Sequence, residues 1–204
     1  MHHGHLRLAE ETADQLALAR VVLIPAALPN LRERPGTDAA HRLQMTRLAA
    51  QGTPRLEVDD RELRREGTSY TVDTLAELRV ELGTRVPLYL ILGADAFLRL
   101  PFWSRWLQLF ELAHIAVALR PGYALDEAVS RSSELDAQWR SRRASDPAAC
   151  LRNPAGAIVR VAIPLLEISA SDLRARMSRG ASVRYLLPPA VVDYIAAHRL
   201  YRMQ

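Results

Sequence analysis

The chain has 204 residues, 49% of them hydrophobic, which suits one α/β domain over residues 1–204 with a helical C-terminal part at 170–204. No apolar run approaches the ~20 residues that span a bilayer, and no export signal is visible, so we expect a cytoplasmic protein without membrane contact. Cys150 is the only cysteine, which excludes an internal disulfide framework and a cysteine-built zinc site.

The basic side chains are all arginines, and the formal net charge is +4. Coding bias is the ordinary explanation for the absence of lysine. The arginines are scattered, and no block of like charge indicates a nucleic-acid-binding arm. Because the planar guanidinium binds phosphate through two parallel hydrogen bonds, a mildly basic enzyme acting on phosphorylated substrates is the simpler interpretation.

Short apolar strands alternate with helical patterns along the chain. Helices are predicted over residues 6–19, 38–50, 71–82, 103–112, near 170–179 and 188–199, with a helix-prone stretch at 124–143. Strands are predicted at 21–24, 56–58, 88–92, 115–119 and 158–163. This alternation predicts a doubly wound parallel sheet covered on both faces. In such sheets ligands bind beyond the carboxyl ends of the strands.

The N-terminus carries a histidine motif, His2-His3-Gly4-His5, at the start of the first helix. His2 and His5 are three residues apart and share one helical face. A helix N-terminus attracts anions, so the two imidazoles could bind nucleotide phosphates while Gly4 lets the chain come close. The alternatives are a tag remnant, a zinc-binding pair, or solvated terminal residues.

A second polar segment, Ile168-Ser169-Ala170-Ser171-Asp172-Leu173-Arg174, follows the last strand. Ser169 and Asp172 have the spacing of a capping box, which would explain both residues without a ligand. That explanation does not account for Arg174, because a cation near a helix N-terminus opposes the helix dipole. An anionic ligand at this helix start would account for it.

The remaining polar segments are individually less specific. Gly93 and Asp95 follow a predicted strand, where the carboxylate could accept hydrogen bonds from a ribose or could belong to a turn and helix cap. Thr71 could cap the following helix, and Trp103 could be a core residue. Arg120 begins the short segment Arg120-Pro121-Gly122 after another strand.

Taken together and in order, these segments resemble the bacterial nicotinate mononucleotide adenylyltransferases of the nucleotidylyltransferase superfamily. His2-His3-Gly4-His5 resembles the H-x-G-H signature, and residues 168–174 resemble I-S-x-T-x-x-R with Ser171 in place of threonine. The internal blocks that match are Ser69-Tyr70-Thr71, Leu92-Gly93-Ala94-Asp95, Pro101-Phe102-Trp103 and Arg120-Pro121-Gly122, and the end of the chain matches through Leu186-Leu187-Pro188-Pro189 and Leu200-Tyr201. The similarity covers essentially the whole chain and implies a Rossmann-like fold.

The resemblance implies transfer of AMP from ATP to nicotinate mononucleotide, without a covalent enzyme intermediate. It also implies that Mg²⁺ is required together with ATP. It assigns catalysis to His2 and His5. The residues it assigns to ATP are His2, Gly4, His5, Gly93, Asp95, Ile168, Ser169 and Arg174. The residues it assigns to nicotinate mononucleotide are Arg32, Tyr70, Thr71, Trp103 and Arg120. No protein-held metal site is expected, and self-association into a homo-oligomer is compatible with the family.

Two departures from the family pattern stand out. Residues 29–32 read Pro-Asn-Leu-Arg where the family has P-P-H-K/R, which makes Arg32 the weaker phosphate candidate. The family also begins with a strand and a G-G-x-F-D-P-x loop before H-x-G-H, whereas Met1 directly precedes His2 here. We therefore expect a fold that lacks its first strand, and we hypothesise that the natural chain starts upstream.

Three other functions remain as alternatives. Phosphopantetheine adenylyltransferase is a related enzyme, but the S-Y-T and F-W blocks argue against it. A non-catalytic nucleotide-binding module or a truncated inactive chain is compatible with the absent loop. A nucleic-acid-binding protein is compatible with the basic net charge, but the chain has no basic cluster and no series of stacking aromatics, so we expect no nucleic-acid partner.

Overall fold

The computed structural model describes residues 1–28, 37–144, 150, 152–164 and 166–201. The helices are α1 (His3–Gln15), α2 (Ala39–Ala50), α3 (Arg61–Arg64), α4 (Thr71–Leu82), α5 (Ala94–Leu98), α6 (Leu109–Leu112), α7 (Leu125–Val129), α8 (Ser133–Arg142), α9 (Ala170–Ser178) and α10 (Pro189–Ala197). The strands are β1 (Val21–Leu23), β2 (Leu56–Val58), β3 (Tyr89–Gly93), β4 (His114–Leu119) and β5 (Ile158–Ala162). Among these residues no helix is long and apolar enough to cross a membrane.

The chain forms two compact units. Unit 1 comprises Met1–Glu10, Ala19–Thr68 and Leu166–Gln204, and unit 2 comprises Glu11–Leu18 and Ser69–Leu165. The predicted parallel strand pairing is confirmed in both units. The sequence predicts one sheet, however, whereas the described strands form a two-stranded sheet, β1-β2, and a three-stranded sheet, β3-β4-β5.

Unit 1 is built around the pairing of β1 with β2 and a helical core. Asp38 begins α2 as its N-cap, because its side chain accepts a hydrogen bond from the backbone N–H of Ala40. The buried core lies between α2, α9 and α10. Its members are Met45, Ala49, Leu173, Val183, Leu187, Val191 and Ile195. This core fixes the start of α9, which carries the second signature segment.

Unit 2 has β4 as the central strand of its sheet. Residues His114 to Ala118 of this strand are all buried, as expected for a parallel strand covered on both faces. The ring of His114 is held inside the unit by two backbone groups. Its Nδ1 accepts a hydrogen bond from the N–H of Ala157 at 3.0 Å, so the proton resides on Nε2, which donates to the carbonyl of Asn153 at 2.8 Å.

Several element boundaries differ from the prediction for local reasons. The first helix begins at His3 and ends at Gln15, shortly before Ala17 adopts a positive φ of 49°. The predicted helix over 103–112 is broken into short turns, because Arg105 lies in the left-handed region with φ of 51°. The helix-prone stretch at 124–143 forms two helices, the second of which is capped by Ser132.

Candidate active site

The N-terminal histidine motif opens α1 in unit 1, and its two outer imidazoles are in contact. The rings of His2 and His5 stack with centroids 3.8 Å apart and an angle of 25° between their planes. His2 is 6% exposed, and its Nδ1 is buried without a hydrogen-bond partner in the described part of the chain. Burial, followed by the neighbouring charge of His5, lowers the pKa of His2 to about 3. His2 is therefore neutral at pH 7 in this state.

Gly4 brings the two signature segments together. A Cβ atom built on Gly4 would lie 3.0 Å from Nδ1 of His2 and 3.7 Å from the carbonyl oxygen of Ile168. The backbone N–H of His3 donates to the carbonyl of Leu186 at 3.1 Å, which also ties the motif to the C-terminal block. Unit 1 therefore brings together the histidine motif, the segment at Ile168 and the C-terminal block at Leu186. All three carry the resemblance to the family, although the first is far from the other two in sequence.

The start of α9 is arranged partly as the capping alternative predicts. Ser169 is the N-cap, and its hydroxyl accepts a hydrogen bond from the N–H of Asp172 at 3.1 Å. The carboxylate of Asp172 accepts from Nε of Arg176 at 2.8 Å, one turn further along the helix. The side chain of Arg174 is exposed near this helix start. The cap thus explains Ser169 structurally and leaves the position of Arg174 unexplained.

Gly93 and Asp95 lie at the carboxyl end of β3 in unit 2. Gly93 is the N-cap of α5 and supplies no side-chain cap, and a Cβ atom placed on it would meet no other atom within 4 Å. Asp95 is exposed in the first turn of α5. An exposed carboxylate at this position can accept hydrogen bonds from a ligand hydroxyl group.

The other predicted residues of unit 2 all reach the surface, three of them partly buried and Arg120 exposed. Tyr70 is the N-cap of α4, and Thr71 is the first residue of this helix. The alternative prediction that the side chain of Thr71 caps the helix is therefore wrong. Backbone N–H groups in this first turn have no intrahelical acceptor and can bind an anion. Trp103 follows a 3₁₀ turn and has an extended backbone conformation. Its side chain is half-buried, so the alternative prediction of a fully buried core residue is wrong. Arg120 is exposed just beyond β4.

Arg32 lies outside the described residues. Within the described part of the chain, no group of three or more His, Cys, Asp or Glu side chains could hold a metal ion.

The structure also reveals an arginine that sequence reasoning missed. Arg42, early in α2, donates three hydrogen bonds to backbone carbonyls. The pattern that singled out Arg174 in the sequence is a cation in the first turns of a predicted helix, and Arg42 fits the same pattern.

Comparison with known proteins gives a consistent result. A family model described as cytidylyltransferase-like matches residues 1–176. A probable nicotinate-nucleotide adenylyltransferase of Dechloromonas aromatica (strain RCB) is 46% identical over 99% of this chain and 93% of its own length. A protein of the same description from Halorhodospira halophila (strain DSM 244 / SL1) is 49% identical over 94% of this chain and 85% of its own length.

The fold itself is similar to that of a solved structure. Plasmodium falciparum nicotinic acid mononucleotide adenylyltransferase, complexed with NaAD, matches with a TM-score of 0.73 and 16% sequence identity. The match covers 98% of this chain and 91% of that one. At this identity the likeness concerns the fold, and it confirms the Rossmann-like architecture that the sequence predicts.

Proposed function

The chain belongs to the cytidylyltransferase-like family and, within it, to the nicotinate-nucleotide adenylyltransferases, and from this premise we propose that it transfers AMP from ATP to nicotinate mononucleotide. The products are nicotinate adenine dinucleotide and pyrophosphate. A phosphate oxygen of the mononucleotide forms a bond to the α-phosphorus of ATP, and the bond from that phosphorus to the β-phosphate bridge breaks. No covalent enzyme intermediate is required.

The observation that carries this proposal is the His2–His5 stack beside the start of α9. Because the reaction needs positioning and stabilisation of phosphate charge, donors fixed before the substrate arrives lower the barrier most. His2 and His5 are held against each other, and the missing side chain of Gly4 allows the His2 ring to lie close to the backbone next to the carbonyl of Ile168. We assign these imidazoles to the ATP phosphates and to the charge that develops on them in the transition state.

The start of α9 supplies further groups for the triphosphate. The helix dipole favours an anion near Ser169, where N–H groups of the first turn point away from the helix. The exposed guanidinium of Arg174 can bind a phosphate through two hydrogen bonds. Mg²⁺ enters as the complex with ATP, where it neutralises the charge of the leaving pyrophosphate.

Unit 2 supplies the groups that we assign to recognition of the nucleosides. Asp95, beyond Gly93, accepts hydrogen bonds from a ribose. Backbone N–H groups at Tyr70 and Thr71 bind the carboxylate of the nicotinate ring. These assignments are supported by an exposed carboxylate after β3 and by the position of Tyr70 as N-cap of α4, where its side chain makes no cap hydrogen bond.

The remaining assignments for the mononucleotide concern an aromatic and two arginines. Trp103, half-buried in unit 2, stacks on the nicotinate ring. Arg120 and Arg32 bind the mononucleotide phosphate. Cytoplasmic location is expected from the sequence and stays a prediction, as does self-association into a homo-oligomer, with which the family resemblance is compatible.

The test is release of pyrophosphate by the native protein with ATP, Mg²⁺ and nicotinate mononucleotide. We compare Arg174→Gln with Arg179→Gln, because Arg179 is an exposed arginine at the other end of the same helix. The KM for ATP should rise about tenfold or more in Arg174→Gln and stay near wild type in Arg179→Gln. A folded wild type that binds ATP but releases no pyrophosphate would support the non-catalytic module instead.

A further inference from the structure

Arg105 connects the segment that carries Trp103 with the start of α4, and both lie in unit 2. Its guanidinium donates a hydrogen bond to Oδ1 of Asp73 at 2.5 Å and forms an ion pair with it. Asp73 lies in the first turn of α4, two residues after Thr71. The contact therefore holds a positive charge at the helix start to which we assign the nicotinate carboxylate.

Asp73 is favourable for the helix but unfavourable for the proposed substrate. A carboxylate in the first turn stabilises a helix, because the macrodipole places partial positive charge there. The nicotinate carboxylate is assigned to N–H groups of the same turn, so the negative charge of Asp73 repels it. Nicotinamide mononucleotide carries a neutral amide in that place and experiences no such repulsion. An uncompensated Asp73 would thus select against the substrate that we assign.

The Arg105–Asp73 ion pair is partly open to solvent. The side chains of Arg105 and Asp73 are 52% and 37% exposed, and ion pairs this accessible contribute little to folding. The carbonyl of Arg105 accepts from the N–H of Gln108 at 2.9 Å, which fixes the left-handed backbone of Arg105 within the turn that follows. The same accessibility leaves both charges within reach of a ligand.

We propose that the Arg105–Asp73 ion pair determines the specificity for nicotinate over nicotinamide mononucleotide: Arg105 cancels the charge of Asp73 at the start of α4 and thereby allows the carboxylate of the substrate to bind there. This inference rests on the proposed function. Arg105 acts through Asp73, so it is a positioning residue and needs no contact with either substrate. Removal of Arg105 should weaken binding of nicotinate mononucleotide selectively, and removal of both charges should restore the wild-type preference.

The experiment compares Arg105→Gln, Asp73→Asn and the double variant in the native protein. The measured quantity is the ratio of kcat/KM for nicotinate mononucleotide to kcat/KM for nicotinamide mononucleotide, with saturating ATP and Mg²⁺. We expect Arg105→Gln to lower this ratio about fivefold through the KM for nicotinate mononucleotide, because the charge of Asp73 is then uncompensated. The double variant should return to within about twofold of the wild-type ratio, since neither charge is left. Asp73→Asn alone leaves the positive charge in excess and should raise the ratio about threefold.

Arg140→Gln is the matched control, because Arg140 forms an exposed ion pair with Asp136 at 2.8 Å on α8 of the same unit. The ratio in this control, and the KM for ATP in every variant, should stay within about twofold of wild type. Salt gives a second readout that a merely structural role would not move. The difference between Arg105→Gln and wild type should shrink at about 1 M NaCl, where the Debye length is only about 3 Å.

Two outcomes would overturn the inference. One is an unchanged ratio in folded Arg105→Gln, and the other is a lowered ratio that the added Asp73→Asn does not restore. If Arg105→Gln does not fold, Asp73→Asn decides, because a ratio that fails to rise contradicts the proposed repulsion. A folded wild type that is inactive, or that prefers nicotinamide mononucleotide, contradicts the proposed function itself. An active wild type with unaltered variants contradicts only this inference.

Discussion

Gly4 and His2 are so close that a side chain on the glycine would press against the His2 ring. A Cβ atom on Gly4 would lie 3.0 Å from Nδ1 and 3.1 Å from Cε1 of His2, closer than unstrained carbon contacts. A methyl group here requires a shift of a few tenths of an ångström from the His2 ring, which is buried against His5. The sequence motif thus has a packing requirement in addition to its chemistry.

We therefore expect Gly4→Ala to lower kcat about tenfold or more, because it displaces the His2 ring from its stack with His5. Alanine is the better helix former by up to about 1 kcal/mol, so the melting temperature should not fall for reasons of helix propensity. Steady-state kinetics and thermal unfolding of the same sample check both statements. Wild-type kcat in the variant would contradict a catalytic need for glycine at this position.

The two stacked histidines should matter for turnover more than the third histidine of the motif. His2→Ala and His5→Ala should each reduce kcat about 100-fold or more, the usual cost of removing a transition-state hydrogen-bond donor. His3→Ala is the matched control, since His3 lies between them but uses its backbone N–H to bind the carbonyl of Leu186. Equal losses in all three variants would point to a general disturbance of the helix start.

Ser169 can be tested for its two roles separately. Ser169→Ala removes the hydroxyl that accepts from the N–H of Asp172 and should cost about 1 kcal/mol of unfolding free energy. Ser169→Asp keeps a good N-cap but places a negative charge where we assign the triphosphate. Its stability should stay near wild type while its KM for ATP rises, as measured by urea unfolding and initial rates. An unchanged KM in Ser169→Asp would leave Ser169 with the capping role alone.

Features that depend on interactions between residues close in sequence were predicted correctly, whereas features that depend on contacts between distant residues were not. Helix α4 (Thr71–Leu82) and strand β2 (Leu56–Val58) have the predicted bounds, because local periodicity and flanking polar residues determine them. The i, i+3 spacing likewise predicts that His2 and His5 share a face, and their rings do stack. The left-handed conformation of Arg105 carries no such local signal, so the helix predicted there was wrong.

Tertiary contacts explain what sequence reasoning could not supply. The histidine motif meets residues more than 160 positions away, since Gly4 lies beside the carbonyl of Ile168 and the N–H of His3 donates to the carbonyl of Leu186. Arg42 donates to the carbonyls of Ala26 and Ala27, which lie 16 and 15 residues earlier in the chain. No sequence pattern predicts these two hydrogen bonds. The roles assigned to Asp95, Trp103 and other ligand-binding residues remain predictions.

Arg79 is expected to be a stability determinant of unit 2. Its guanidinium donates to the carbonyls of Gly83, Val86, Leu112 and Pro154. Arg79→Met would leave these oxygens without their donor, and we expect a loss of about 3 kcal/mol in unfolding free energy. Urea unfolding measures the change.

The control for this variant is Val80→Ala, the exposed neighbour on the same helix, which should change stability by less than about 0.5 kcal/mol. Arg79→Lys should be intermediate, since an ammonium cannot reach all four carbonyls at once. Equal stability of Arg79→Met and Val80→Ala would contradict a structural role for this guanidinium.

His114 makes the stability of the protein depend on pH in a definite direction. Burial lowers the pKa of His114 below its ordinary value of 6.5, so the folded protein keeps the ring neutral while the unfolded chain binds a proton. The stabilisation is complete above about pH 6.5 and is lost as the pH falls towards the folded pKa. His2, whose folded pKa is about 3, acts in the same direction.

We expect the urea midpoint to fall between pH 7.5 and pH 5, and His114→Gln to reduce that fall while lowering the midpoint at pH 7.5. The lower midpoint follows because the flexible glutamine amide has an acceptor and a donor but does not hold them at the positions of Nδ1 and Nε2. The hydrogen bonds with the N–H of Ala157 and the carbonyl of Asn153 are therefore weakened. Val80→Ala is the control and should leave the fall unchanged, because this exposed side chain is not ionisable. If His114→Gln kept the full pH dependence of the wild type, the proton would bind elsewhere in the unfolded chain.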